Sequence, residues 1–461
     1  MFHHLYKPGP LGQWIVAFTA CLCSFTCGQA FSWPSPALPK IRSGATGFSV
    51  TADQESWMLT IMFIGNILSP IPAGMIMDRI GRKSSLHLFV LVAIVAWLLP
   101  YFNHSVEGLY VSRLLVGIWA GFVYTLVPIL IGEVVDPAIR GSMGSVFGVM
   151  LYLGGMYESL IGLYASYDML TLVSLIPPVL VFLLFSLLPE TPYFHLMKGN
   201  RRLAAESMEW LQGSTKEEEL DFMEECMKEQ LENRGSFLDL FQVKANRKAF
   251  MMALILAGVQ RAAGLTLLMS YASVTIPDSF ITGEQSFTVL DSVWILASIC
   301  SFFIMDRFNR RTLLFVSSLG SCITMILIFV WYFIRDFTDV DTSTTLWLPL
   351  IALIINGIFY SIGLVSIPTL VQGELFPVNI KGKASAIASI TMSAMSAITT
   401  KAYQPLTDNV GVFANFVICA TSCAIGAFFA ATYMTETRGK TLEEIQDVLT
   451  QKKRKKKKIP L

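Results

Sequence analysis

The chain has little charge for its length. Asp, Glu, Lys and Arg make up 15% of its 461 residues, whereas hydrophobic residues make up 54%. A soluble globular domain carries about 25% charged residues, because its surface must be solvated. The composition therefore argues against a soluble protein and makes a membrane protein the first interpretation.

Cysteine and histidine are also scarce. Of the eight cysteines, Cys226 lies in a loop and the others lie in apolar segments, so no disulfide framework is predicted. The five histidines show no ligand spacing, and no nucleophile–base pair is present. Gly439-Lys440-Thr441 is not a nucleotide loop, because the glycine required five positions earlier is Met434. We therefore expect no metal, no cofactor, no nucleic-acid partner and no enzymatic activity.

Long apolar runs are abundant. Twelve can be marked, each of roughly 17–25 residues, enough to cross ~30 Å of hydrocarbon as a helix. Backbone polar groups in lipid must bond within the segment, so these runs are predicted to be helices. They cover residues 14–33, 55–76, 85–102, 108–131, 142–164, 169–188, 249–275, 287–305, 312–335, 346–371, 383–403 and 410–433. The predicted fold is an all-α integral membrane protein with twelve transmembrane helices.

The positive residues set the orientation. With a cytosolic N-terminus, most of the 34 Lys and Arg residues fall on the cytosolic side. The exceptions are four outer residues, Lys40, Arg42, Arg335 and Lys401, and two within helices, Arg113 and Arg261. Both termini are therefore predicted to be cytosolic.

A pattern of charges occurs once in each half of the chain. The first half has Asp78, Arg79, Arg82 and Lys83, followed by Glu133 and Arg140. The second half has Asp306, Arg307, Arg310 and Arg311, followed by Glu374 and Lys381. Duplicated charges at membrane boundaries predict a transporter built from two repeated bundles. We expect six-helix bundles at 1–190 and 249–433, a cytosolic helical linker at 191–248 and a basic cytosolic tail at 434–461.

The boundary charges are candidate gating residues. Charges at helix ends on one face of the molecule can pair across it, and can pair differently when the bundles rock. The alternative is that positive charge only anchors the topology. That alternative explains the Arg and Lys residues but not the acidic residues that recur at matched places.

Two segments outside the bundles have alternative interpretations. Residues 216–234 combine acidic residues with an apolar stripe, as in a solvated helix facing other cytosolic loops; a regulatory partner site is the alternative. The seven basic residues from Lys452 to Lys458 are either a solvated run or a patch that attracts anionic lipid of the inner leaflet.

Several motifs, in order along the chain, are similar to those of the sugar porter family of the major facilitator superfamily. Helices two to five match at Gly74, Asp78, Arg79, Gly81, Arg82, Lys83, Arg113, Gly117, Pro128, Glu133, Arg140 and Gly141. Helices six and twelve end in Pro189-Glu190-Thr191-Pro192-Tyr193 and Thr435-Glu436-Thr437-Arg438-Gly439, which adds Glu436 and Arg438 to the gating set. Within the family, the chain most resembles the insect facilitated trehalose transporters, through the motif Ser35-Pro36-Ala37-Leu38-Pro39. The resemblance implies facilitated transport of a sugar, such as trehalose or a hexose, at the plasma membrane.

The resemblance also indicates a binding site, with changes. A sugar site needs amide and hydroxyl side chains and aromatic rings. The family's helix seven reads Q-Q-x-x-G-x-N, and here Gln260 and Gly264 are kept while the second Gln is Arg261 and the Asn is Thr266. The candidate substrate-binding residues are Gln260, Arg261, Thr266, Ser270, Tyr271 and Thr369.

Helices five and ten depart further from the family. The helix-five glutamine aligns with Gly148, and the G-P-G-P-I-P-W of helix ten aligns with Gly363-Leu364-Val365-Ser366-Ile367-Pro368-Thr369. In the family these prolines break the helix and allow gating. Their loss bears on the gate and, with the lost tryptophan, on the recognition of glucose-type substrates.

Three charges are predicted to lie inside the membrane. Arg261 is about twelve residues into helix seven, where a charge normally faces a cavity or a partner. It is interpreted either as a ligand contact, possibly to an anion, or as one member of an internal ion pair. Glu158 is its candidate partner, and Arg113 competes for the same carboxylate.

Coupling to protons is not expected. Proton-driven members of the family carry an Asp in helix one opposite the helix-four Arg, and this chain has Ala30 there. A titrating group is needed to carry a proton, so we predict downhill transport, with Glu158 as the residue that would overturn this. Two other hypotheses remain: a facilitator of a non-sugar solute such as an organic anion, and a transport-dead receptor of the same fold.

Overall fold

The computed structural model describes residues 9, 11–44, 47–214, 217–232, 236–305, 307–376, 378–438, 445 and 449. Within these ranges nothing is described of the side chains at 137–145, 226, 229–232, 302, 305, 372–374, 378, 379 and 381. The described residues form helices and contain no β-strand.

The helices fall into three groups along the chain. The first half contains α1 (Leu11–Ser32), α2 (Pro34–Arg42), α3 (Ala52–Leu68), α4 (Pro70–Ile80), α5 (Arg82–Phe102), α6 (Val106–Val134), α7 (Pro137–Tyr164), α8 (Tyr167–Ser174) and α9 (Ile176–Leu187). The linker contains α10 (Pro192–Met197), α11 (Arg201–Gln212), α12 (Glu217–Glu232) and α13 (Asp239–Gln242). The second half contains α14 (Lys244–Ala262), α15 (Leu265–Thr275), α16 (Gly283–Met305), α17 (Arg310–Phe337), α18 (Leu348–Ile362), α19 (Ile367–Leu375), α20 (Val378–Asn409) and α21 (Phe413–Thr432).

Each predicted apolar run coincides with one helix or with two consecutive helices. In the described part of the chain, nine spans are long and apolar enough to cross a membrane, or ten if the bent pair Ala52–Leu68 and Pro70–Ile80 is one span. The predicted spans 287–305 and 383–403 are helical, as α16 and α20, but are not among these. The membrane assignment is thus confirmed at nine or ten spans, and the number twelve stays a prediction.

Two of the breaks within spans matter for the site. The seventh predicted span, which we call helix seven, is interrupted at Gly264, between α14 and α15. The Gly264 φ of +104° lies in the left-handed region that favours glycine. Helix ten is interrupted between α18 and α19, at residues 363–366, although most of the family's prolines are absent. The retained Pro368 lies at the start of α19, where its missing N–H costs no helical hydrogen bond.

The two halves repeat one packing scheme. In the first half, α1 packs on α7, α3 on α6 and α5 on α9. In the second half, α14 packs on α20, α16 on α18 and α17 on α21. We call the side that carries α10–α13 and the start of α5 and α17 the linker face, and the opposite side, where α3 begins and α20 ends, the distal face.

Glycines allow the closest helix contacts in the first half. A Cβ on Gly28 of α1 would collide with the Leu151 carbonyl oxygen, and one on Gly154 of α7 would collide with that of Phe25. The same reciprocal contact joins α3 to α6 through Gly65 and Gly117. In lipid, helices gain stability from such close backbone approach because apolar burial supplies little driving force there.

The linker has a small core of its own. Leu220 and Met227 of α12 pack with Leu196, Ala204 and Met208. Arg201 at the start of α11 binds Glu217, Asp221 and Glu224 at 2.6–2.9 Å. Of the apolar stripe predicted for residues 216–234, the described residues Leu220, Met223 and Met227 pack against α10 and α11, whereas Phe222 is exposed.

We expect Gly28→Val to destabilise the protein by about 1–3 kcal/mol or more, because the added atoms force α1 away from α7. Thermal unfolding of the purified protein, followed by tryptophan fluorescence, measures the effect. Gly132→Ala is the matched control, since nothing lies within 4 Å of a Cβ at that position. An unchanged midpoint for Gly28→Val would contradict this view of the α1–α7 contact.

Candidate functional site

The two halves are joined by polar contacts on the distal face. Lys401 of α20 binds Asp53 at 2.7 Å and Ser56 at 2.9 Å, both at the start of α3. The Ser273 hydroxyl donates to the Ser35 carbonyl oxygen at 2.5 Å. The structure is therefore closed on the distal face.

Gln260 lies near the middle of the α14–α15 pair, beside the break in helix ten. Its side-chain Nε2 donates to the Val365 carbonyl oxygen at 2.6 Å, and the Tyr360 hydroxyl donates to its backbone oxygen at 2.5 Å. Its side-chain oxygen Oε1 is buried without a hydrogen-bond partner. One side of the predicted amide thus supports the broken helix, and the other side can accept a hydrogen bond from a ligand.

Arg261 reaches towards the first half. It is half-buried and lies within electrostatic range of Tyr124 and Tyr152 of the first half and of Tyr360. The Arg261 Nε is buried without a hydrogen-bond partner, and the Tyr124 hydroxyl lies close enough to Arg261 to accept a hydrogen bond from its guanidinium. No described carboxylate forms an ion pair with Arg261, and Glu158 is held by other groups. Arg261 is therefore not paired with Glu158, and its role as a ligand contact stays a prediction.

Glu158 and Arg113 have separate partners. The Glu158 carboxylate accepts from the Gln29 amide and the Ser174 hydroxyl, each at 2.9 Å. Arg113 donates to the Ala30 carbonyl oxygen at 3.1 Å and lies 4.1 Å from the ring centre of Trp33. The two charges are within electrostatic range but do not form an ion pair. The backbone oxygen of Ala30 on α1 thus binds the arginine.

Asp291 is a buried carboxyl that sequence reasoning missed. It lies on α16, is fully buried, and accepts one hydrogen bond at 3.3 Å from Ser159 of α7. Its Oδ1 atom has no partner. The sequence did contain a signal for it, because Asp291 is a carboxylate inside the predicted membrane-spanning run 287–305. Burying a carboxylate there costs as much free energy as burying Glu158 in the run 142–164.

Aromatic residues line the same region. Tyr152 of α7 and Trp294 of α16 meet edge to face across the two halves, with ring centres 6.0 Å apart. The Trp294 indole N–H is buried without a partner. Gly357 makes room for that ring, since a Cβ there would collide with it. The interface between the halves therefore holds a polar cluster with aromatic walls, which we define as Gln260, Arg261, Asp291, Tyr152 and Trp294.

The other predicted binding residues lie elsewhere. Thr266, beyond the break, contacts the Ser396 hydroxyl at 3.2 Å. Ser270 is buried. Tyr271 stacks on Tyr403 with ring centres 4.0 Å apart, near the distal contacts, and its hydroxyl has no partner. Thr369 on α19 is exposed and donates to the Ser366 carbonyl oxygen at 2.9 Å. The structure thus brings together only Gln260 and Arg261 of the predicted set.

The boundary charges of the first half pair with one another. Arg82 binds Glu133 at 2.8 Å and lies 3.7 Å from Asp78. Glu133 also accepts from the Thr191 hydroxyl at 2.7 Å. Glu190, which was not among the predicted gating residues, accepts from the first backbone N–H groups of α5 at 2.9 and 3.0 Å. Arg79 is exposed.

The second half repeats this cap on α17. Glu436 accepts from the backbone N–H groups of Arg310 and Arg311 at 3.2 Å, as Glu190 does on α5. Arg438 donates to the Arg307 carbonyl oxygen at 2.8 Å. Burial raises the pKa of Glu436, but the backbone N–H groups of Arg438, Arg311 and Arg310 together hold that pKa below its ordinary value. These contacts of the boundary charges each lie within one half.

Some predicted residues cannot be placed. Asp306 and Lys452 to Lys458 lie outside the described residues, as do the side chains of Arg140, Glu374 and Lys381. Within the described ranges, no group of three or more His, Cys, Asp or Glu side chains could hold a metal ion.

The family model and two curated proteins that match this chain are all described as sugar transporters. The family model described as Sugar (and other) transporter matches residues 15–449. Facilitated trehalose transporter Tret1 of Apis mellifera ligustica is 29% identical over 441 residues, covering 94% of this chain and 87% of that protein. Trehalose transporter 1 of Drosophila melanogaster is 28% identical over 455 residues, covering 96% of this chain and 53% of that protein.

Solved structures share the fold. The proton:xylose symporter XylE bound to 6-bromo-6-deoxy-D-glucose superimposes with a TM-score of 0.78 at 18% identity, covering 96% of this chain and all of that one. The inward open conformation of XylE from E. coli gives 0.78 at 17% identity, covering 95% of this chain and 99% of that one. This similarity shows the major facilitator fold.

We expect Glu436→Gln to lower the thermal midpoint at pH 7 and to have little effect in acid. The lowered pKa means that the carboxylate stabilises the folded state above about pH 4.5, and that this contribution is lost as the pH falls through the lowered value. Unfolding midpoints of wild type and variant across this range test it. Asp339→Asn, in an exposed loop, is the control, and a difference independent of pH would contradict the prediction.

Proposed function

The chain belongs to the Sugar (and other) transporter family, and on that basis we propose that it carries a sugar, such as trehalose or a hexose, down its gradient. The observation that carries the proposal is the polar cluster between the halves. The Gln260 side-chain oxygen, the Arg261 Nε and one Asp291 oxygen are buried there without partners. Leaving such groups unpaired costs free energy, and the hydroxyls of a sugar both donate and accept hydrogen bonds.

Alternating access is supported by the placement of the contacts between the halves. Lys401 and Ser273 join the halves on the distal face, and the cluster lies between this closed side and the linker face. Breaking a few polar contacts would open the distal side, which suits two states that differ by a few kcal/mol. The bundles 1–190 and 249–433 are proposed to be the moving units.

Orientation and lipid contact follow from positive charge. We propose that the linker face and both termini are cytosolic, because most Lys and Arg residues lie on that side. The plasma membrane is the proposed location. The run from Lys452 to Lys458 is proposed to attract anionic lipid of the inner leaflet, worth about 1 kcal/mol per charge near the surface.

The absence of proton coupling is proposed from helix one. Arg113 binds the backbone oxygen of Ala30, where proton-driven relatives carry an Asp. Glu158 is engaged by Gln29 and Ser174 and does not form an ion pair with Arg113. The arginine thus has no titrating partner of the kind that would release it on protonation.

A second candidate function is facilitated transport of an organic anion. The observation that favours it is Arg261, a half-buried charge without a described carboxylate partner in the cluster. An arginine N–H fork binds carboxylates well, so an anionic substrate would fit this position.

We expect saturable uptake of labelled trehalose or glucose by the purified protein in liposomes, at a rate that does not respond to a proton gradient. Protein-free liposomes and unlabelled competitor are the controls. Uptake that follows the gradient would sink the uncoupled mechanism, and no uptake of either sugar from folded protein would sink the sugar assignment.

Arg261→Gln separates the two candidate substrates. The change restores the amide of the family pattern and removes the charge, so we expect sugar uptake to be kept or increased. If the natural solute is an anion, uptake of labelled organic anions by the wild type falls in the variant instead. Lys198→Gln, on the exposed linker, controls for loss of a positive charge.

A further inference from the structure

Asp291 makes two different connections at the interface between the halves. Its Oδ2 atom lies 3.3 Å from the Ser159 hydroxyl, which also donates to the Met156 carbonyl oxygen at 3.1 Å, so a shared hydrogen bond joins α16 of the second half to α7 of the first half. Its Oδ1 atom is fully buried and has no partner. One carboxyl group therefore holds the halves together and also offers an unused acceptor.

The surroundings of Asp291 contain no described cation that neutralises it. The Asp291 carboxyl is buried, and Ser159 is its hydrogen-bond donor. The Tyr152 hydroxyl is the titratable group within electrostatic range of it. The same Tyr152 is within range of Arg261 from elsewhere in the cluster. Glu158 is the next residue to Ser159 on α7, but its carboxylate is bound by other side chains. Arg261 and Asp291 thus flank one tyrosine without bonding to each other.

The neighbours of Asp291 on α7 and α1 include a glycine and a second oxygen without a partner. Gly155 of α7 has no side chain, and a Cβ there would lie 3.6 Å from the Asp291 Oδ2 and 2.7 Å from the Ser32 hydroxyl. The Ser32 hydroxyl is itself buried without a partner. A ligand that donates hydrogen bonds would satisfy the Asp291 Oδ1 and the Ser32 hydroxyl. Adjacent hydroxyls of a sugar can supply two such donors.

We propose that Asp291 is a specificity-determining substrate contact that links binding to the movement of the halves. Its Oδ1 atom accepts a hydroxyl hydrogen bond from the sugar while its Oδ2 atom remains on Ser159. Occupation of the site therefore strengthens a contact between α16 and α7, and loss of the sugar weakens it. The inference rests on the proposed sugar transport, and it assigns a role to a residue outside the predicted helix-seven set.

The test compares Asp291→Asn, Ser159→Ala and Glu158→Gln by equilibrium binding of trehalose and glucose, followed by tryptophan fluorescence in detergent. Asp291→Asn keeps the shape but replaces one acceptor with a donor, so we expect Kd to rise about tenfold. Ser159→Ala removes the link between the halves, and because the coupling between this link and sugar binding is reciprocal, we expect Kd to rise by several fold while the exchange rate in liposomes changes. Glu158→Gln is the matched control for a buried acid and should leave Kd unchanged.

Several outcomes would overturn the proposal. A wild-type Kd in folded Asp291→Asn would show that Asp291 is not a substrate contact. An unchanged exchange rate in Ser159→Ala would show that Asp291 does not link binding to the movement of the halves. Wild-type uptake that follows a proton gradient, with the response lost in Asp291→Asn, would make Asp291 a proton carrier instead. Asp291→Ser replaces the Asn variant if that protein does not fold. Wild-type protein that binds neither sugar refutes the proposed function itself, whereas sugar binding unaffected by Asp291 refutes this inference alone.

Discussion

The structure depends on the cost of an unpartnered polar group in a low-dielectric interior. Within the first half, Glu158 meets that cost with two donors, and Arg113 takes a backbone oxygen and an aromatic face while its Nε and one terminal nitrogen keep no partner. Between the halves, Gln260, Arg261 and Asp291 each keep an atom without a partner. A polar atom that is buried without a partner costs free energy. A solute that forms hydrogen bonds with these atoms removes that cost, which favours its binding.

Contacts within one half differ from contacts between the halves in what transport requires of them. Glycines such as Gly28 and Gly154 bring backbones together within the first half, and two glutamates, Glu190 and Glu436, cap α5 and α17 at the linker face. These contacts lie within a half and need not break during transport. The contacts of Lys401, Ser273 and Asp291 cross between the halves, so they are the ones that a rocking motion must break or rebuild.

Much of the fold could be predicted from the sequence, because hydropathy and duplicated charges report directly on membrane spans. The breaks at Gly264 and near Gly363 were harder to predict, since each depends on how the backbone meets a neighbouring helix. The site was predicted in part: helix-seven residues fall on one span, yet Gln260 and Arg261 face the cluster while Tyr271 joins the distal contacts. Asp291 and Glu190 were missed for different reasons. Asp291 was overlooked within an apolar run, and the capping role of Glu190 appears only when α5 is seen to begin beside it.

The central claim is that the halves rock about a site that is now closed on the distal face. Spin labels at exposed positions 107 and 338, on the distal ends of the two halves, and at 79 and 309, on their linker ends, report both openings by pulsed distance measurement. We predict that added trehalose or glucose creates a population with a longer distal distance and a shorter linker distance, changing together. Distances that stay single and unchanged with every solute that binds would contradict the account.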